Sequence, residues 1–133
     1  MINGVFISIR LRHEFEDVSV LAKLMNLCIK RSWMAGELRR TPHGKILEGK
    51  YSYSYCLCKF PYDESNNLED QLLSGVEFLG KYKEELSVFN KNGGRLSFYM
   101  SFEKDIFEGV IIDPSLLRKL SDLGIYMEID KHL

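Results

Sequence analysis

From Ile2 to Arg12, apolar and polar positions alternate, with Val5, Ile7, Ile9 and Leu11 on one face and Phe6, Ser8, Arg10 and Arg12 on the other. A period of two marks a strand buried on one side and largely wet on the other. The period then lengthens. Leu21, Leu24, Met25 and Cys28 share a side at helical spacing, which predicts a short helix over Asp17–Leu27, with Asp17 or Ser19 capping its start. Gly36, Thr41-Pro42, Gly44 and Gly49 punctuate the stretch from Ser32 to Gly49, predicting a turn-rich connection with one short strand near Trp33. Tyr51–Phe60 reads as a strand, with Tyr51, Tyr53, Tyr55 and Leu57 opposite Ser52, Ser54, Cys56 and Cys58.

A polar turn leads into the longest helix, where Asn66 and Glu69 have the spacing of a capping box. Leu68, Leu72, Val76, Leu79, Tyr82 and Leu86 form its apolar stripe, and Asn92-Gly93-Gly94 stops it. Arg95–Phe102 is the cleanest strand, with Leu96, Phe98, Met100 and Phe102 on one face. Phe107–Ile112 reads as a shorter strand. Asp113-Pro114 then caps a helix that Gly124 ends, with Leu116, Leu117, Leu120 and Leu123 as its buried side. A last strand carries Ile125, Met127 and Ile129 against Tyr126, Glu128 and Asp130. This order predicts an α+β fold: a mostly antiparallel or mixed sheet of about five or six strands, with about three helices mainly on one face. The faces bearing Val5, Ile7, Ile9 and Leu96, Phe98, Met100 should meet those helices.

Composition bounds the function. The 133 residues suit a single domain over 1–133, and 45% hydrophobic with 28% charged residues suits a folded chain. Three cysteines, no basic leader before an apolar stretch and no apolar run of spanning length point to a reducing cytoplasm, away from the membrane. The net charge of -1 conceals separated blocks. Lys23–Lys50 holds seven cations against Glu37 and Glu48, a net of +5. Pro61–Asn90 holds seven acids (Asp63, Glu64, Glu69, Asp70, Glu77, Glu84 and Glu85) against Lys81 and Lys83, a net of -5. Such blocks steer a charged partner or neutralise each other within the fold. The global balance argues against direct nucleic-acid binding.

Residues that could carry chemistry have plain readings beside them. Cys56 and Cys58 share a strand face, and with Cys28 and His13, His43 or His132 they would supply zinc ligands by type. Tetrahedral sites draw on pairs such as Cys-x-x-Cys or His-x-x-x-His, and neither occurs, so buried free thiols are favoured and no metal or cofactor is expected. No Gly-x-Ser-x-Gly elbow or phosphate loop occurs, and catalysis is not expected. Asp113 reads as a helix cap, and Glu128 and Asp130 as the wet side of the last strand. Tyr51, Tyr53 and Tyr55 either line a half-buried sheet face or form a row on which a ligand or partner stacks. Arg39 and Arg40, in the run to Lys45, either hold an anion or tip a solvated loop.

Certain local phrases resemble a bacterial family of similar length, domain-of-unknown-function family 4279. They are Ala35-Gly36-Glu37-Leu38-Arg39-Arg40-Thr41-Pro42-His43-Gly44, Tyr53-Ser54-Tyr55, and the leucine-rich helix with Leu123-Gly124-Ile125 and the strand to Ile129-Asp130. One position departs: the family often has tryptophan after the middle strand's serine, where this chain has Tyr55 and keeps its one tryptophan at Trp33. The resemblance implies a compact α+β domain similar to the small immunity proteins encoded beside bacterial polymorphic or contact-dependent toxins. It implies a non-catalytic protein that neutralises a cognate toxin by binding it. Nuclease toxins are often basic, so Asp63, Glu64, Glu69, Asp70, Glu77, Glu84 and Glu85 are the expected contact surface. The alternative is a small-ligand or regulatory module built on Tyr51, Tyr53, Tyr55, Arg39 and Arg40.

Overall fold

The computed structural model describes residues 4–62, 67–103, 105 and 109–132. Its elements run β1 (Val5–His13), α1 (Ser19–Leu24), β2 (Ile29–Trp33), β3 (Leu38–Arg40), β4 (Ile46–Lys50), β5 (Ser54–Lys59), α2 (Leu68–Gly80), α3 (Lys83–Lys91), β6 (Arg95–Glu103), α4 (Pro114–Leu123) and β7 (Tyr126–His132). The expected α+β architecture is present: a five-stranded sheet ordered β2-β5-β1-β6-β7, and a separate β3-β4 hairpin. All neighbours in the main sheet are antiparallel except β6 and β7, which α4 joins as a parallel crossover. No helix among the described residues is long and apolar enough to cross a membrane.

The alternation in β1 sets the layers. Ile9 is flanked in register by Cys58 and Phe98, and Leu11 by Cys56 and Leu96, all fully buried or nearly so. Each large side chain so buried contributes about 1.5–3 kcal/mol. Against this face pack Leu72, Val76 and Leu79 of α2, Leu86 and Phe89 of α3, and Leu116 and Leu120 of α4. Gly75 lets α2 lie close, since a Cβ there would stand 2.8 Å from the Phe60 ring and 3.0 Å from that of Phe98. Gly124 closes α4 in the left-handed conformation at φ 67°. At the other end of that helix, Asp113 accepts a 2.8 Å hydrogen bond from the Leu116 amide, as a cap should.

Several boundaries differ from expectation. The single long helix is two. Lys81 and Tyr82 donate backwards to Phe78 and Leu79, three residues away, and Tyr82 leaves helical geometry. Leu79, Tyr82 and Leu86 keep helical spacing across this break, so periodicity alone does not register it. The cap of α2 is Asn67, accepting from the Asp70 amide at 2.8 Å, one residue beyond the expected position; Asn66 lies outside the described residues. The β3-β4 hairpin replaces the predicted loop. Apart from half-buried Leu47 its strands are exposed, so no buried face imprints an alternation on them. Phe107 lies outside the described residues, and Gly109–Ile112 is not strand: β7 already occupies the edge beside β6, leaving Ile111 86% exposed. Leu117 is exposed as well, because Leu116 and Leu120 define the contact stripe of α4.

Candidate functional site

Opposite the helices, the sheet shows an uncovered face of rings and guanidiniums. Trp33 is directly across from Tyr55. Its indole is stacked between two rings, Tyr51 at 4.3 Å and Tyr55 at 4.4 Å, and its Nε1 donates to the Tyr53 carbonyl at 2.9 Å. Arg10 lies 3.5 Å over the Tyr99 ring and pairs with Glu128 at 3.1 Å. Arg12 lies 3.8 Å over Tyr53, and Arg31 5.0 Å from the Trp33 ring centre. Contacts of this kind contribute about 0.5–1 kcal/mol each where water reaches them. Together they hold long side chains in fixed rotamers. Burial pushes the Tyr55 phenol up from its ordinary value, with Arg10 opposing; burial and the hydrogen bond to Asp130 push up that of Tyr99.

The tyrosine row is thus half-buried and structured. Its predicted companions divide. The Tyr51 hydroxyl accepts from the Arg40 amide and donates to the Arg40 carbonyl, which also receives Arg31, so Arg40 joins the row through its backbone. Arg39 turns to the hairpin and donates to the Glu48 carbonyl. Thr41 closes the turn, its hydroxyl accepting from the Lys45 amide. Sequence reading missed Arg10, Arg12 and Trp33 as the lattice's centre, because the pairing that joins β1, β2 and β5 comes from strands far apart in sequence. The alternation that put Arg10 and Arg12 on the wet face of the first strand was the available signal.

Cys56, Cys58 and His13 are buried, whereas Cys28, expected to be a buried thiol as well, is exposed. Cys56 and Cys58 are fully buried in the core with sulfurs 3.6 Å apart, and their shared hydrogen bond, with burial, pushes the Cys58 thiol up. His13, 2% exposed, accepts from the Phe15 and Glu16 amides at Nδ1, at 3.1 and 3.0 Å. The proton must therefore sit on Nε2, which donates to the Asn92 carbonyl at 2.7 Å. Neutral in this tautomer, the ring forms no ion pair with Glu16, 3.7 Å away. It ties the end of β1 to the approach to α1 and to the turn before β6.

Among the described residues, the predicted acids divide between α2 and the start of α3. Asp63 and Glu64 lie outside the described residues. Glu69 shares a hydrogen bond with Asp113 that pushes its carboxyl up, while Asp113 is held down, first by the Leu116 amide. Asp70 and Glu77 are exposed on α2, with Glu77 near enough to Tyr62 to raise its phenol, after burial. Glu84 and Glu85 instead border a groove of about 460 Å³ between α1 and α3. Glu16 and Asp17 line its other side. Between them stand Val20, Leu24 and Val88, 63%, 50% and 59% exposed, over a floor that includes buried Val18 and Phe89. Leu24, which the sequence placed on one side of α1 with Leu21, Met25 and Cys28, is exposed at this groove, four residues from Val20 on the same short helix as buried Ala22. No protein-family model, curated protein or solved structure matches this chain.

Proposed function

We propose that this chain is a non-catalytic immunity protein that neutralises a cognate bacterial toxin, seating a basic, apolar segment of it in the groove between α1 and α3. The observation that carries the reading is the coincidence of three exposed aliphatic side chains with four carboxylates around one concave surface. Exposed apolar groups brought together under a charged rim are the anatomy of a binding patch. The acidic rim complements a basic toxin such as a nuclease, and would accelerate encounter and fix orientation while the aliphatic centre supplies affinity. Resemblance to family 4279 supplies the partner class. Cytoplasmic residence follows from that role.

The test is growth protection. Reading frames flanking the gene are expressed inducibly in a sensitive host, alone and with this chain, and those that arrest growth are taken as the candidate toxin. Wild type should restore growth and co-purify with the toxin domain in equal amounts. Val88→Glu should do neither while remaining folded. Protection by Val88→Glu, or no protection by wild type, would overturn the reading.

A further inference from the structure

The open end of the sheet carries a second feature that toxin binding does not use. Arg12 and Arg95 are direct cross-strand partners in the β1–β6 register. Like charges so placed repel, since the Cβ atoms of such pairs are only about 4.5–5.5 Å apart. Among the described residues no carboxylate stands within ion-pair distance of either guanidinium. Each lies over a tyrosine ring, Arg12 at 3.8 Å from Tyr53 and Arg95 at 5.7 Å from Tyr126. Ring faces offset only part of the charge. The Nε of Arg95 is shut off from solvent without a hydrogen-bond acceptor. A buried N–H with no partner leaves its desolvation uncompensated, as it does at the Nε of Arg10.

All four side chains line one recess of about 760 Å³. That is a volume for a small organic molecule. His13 and the Gly93-Gly94 turn border it as well, and their fixed hydrogen bonds make that wall rigid. Among the described residues, Glu14 is the one acid on the lining. With two cations against it, the recess stays net positive.

We propose that this recess binds a small organic phosphomonoester, its phosphate received between Arg12 and Arg95 and its body lying along the tyrosines. Two guanidiniums supply the charge and the fork of donors that a dianionic phosphate accepts. Bound phosphate would relieve the cross-strand repulsion.

Isothermal titration at constant ionic strength tests this with phenyl phosphate, inorganic phosphate and an oligothymidylate. Phenyl phosphate should bind wild type saturably at one site and more tightly than inorganic phosphate. Arg12→Met and Arg95→Met should each weaken it roughly tenfold or more, as expected for loss of a charge-assisted contact. Val88→Glu should bind phenyl phosphate like wild type, which separates this site from the toxin groove. Arg12 is exposed, so its variant should keep the fold; an unchanged circular dichroism spectrum checks it. Absence of saturable phenyl phosphate binding, equal binding by both arginine variants, or binding of the oligothymidylate alone would each overturn the proposal.

Discussion

The two sides of the sheet solve opposite problems. On the helix side, aliphatic side chains seek one another, and burial of Ile9, Leu11, Phe98 and their neighbours excludes water. Part of what remains exposed there, Val20, Leu24 and Val88, is a remainder of the same chemistry with carboxylates around it. On the open side no helix of the described residues arrives. The rings of Trp33, Tyr51, Tyr55 and Tyr99 are covered by each other and by Arg10, Arg12 and Arg31. Stacked rings and guanidiniums keep a sheet face ordered in water, and leave it positive where the groove is negative. In the reading proposed above, the two surfaces take different partners: a basic protein the groove, an anion the sheet.

The largest expected effect separates the surfaces directly. Val88→Glu places a charge in the apolar centre of the groove and should weaken toxin binding by roughly a hundredfold or more, as for an interface hot spot. Trp33→Ala should change that affinity little. Next comes the structural histidine. His13→Leu leaves the Phe15 and Glu16 amides and the Asn92 carbonyl without partners, and should lower unfolding free energy by about 2–4 kcal/mol in denaturant titrations. Gly75→Ala forces a methyl against Phe60 and Phe98 and should cost about 1–3 kcal/mol, because rings wedged between sheet and helix have little room to move. Reversing Glu84 and Glu85 to lysine should slow toxin association and flatten its salt dependence, leaving dissociation less affected. The smallest effect concerns the open face in alkali. Burial raises the Tyr55 phenol, so the folded state holds that proton more tightly than the unfolded chain does. The stability this contributes is complete below the unfolded value of about 10 and is lost as pH rises through the higher folded value. Tyr55→Phe should therefore lessen the fall in melting temperature above that pH.

What could be read from sequence followed from burial. The strands at β1, β5 and β6 and the capped helix from Asp113 to Gly124 were legible because one face of each packs into the core and imprints its period. The β3-β4 hairpin was not, because its side chains meet water on nearly every side. The break at Lys81–Tyr82 was hidden because the apolar spacing continues through it. Among site residues, Glu84 and Glu85 could be named from charge alone, but their neighbours Glu16 and Asp17 could not, since only the packing of α1 beside α3 unites them. Tyr53 and Tyr55 were visible as a row, whereas Trp33 joins them through a strand pairing that no local pattern encodes.

The most direct measurement is the affinity of the purified toxin domain for wild type, Val88→Glu and Trp33→Ala, with the single tryptophan of this chain as an internal monitor. The groove account predicts at least a hundredfold loss for Val88→Glu, nearly wild-type affinity for Trp33→Ala, and Trp33 fluorescence unmoved by the toxin when the toxin's own emission is subtracted. Loss of binding in Trp33→Ala with Val88→Glu unaffected would place the toxin on the open sheet and contradict it.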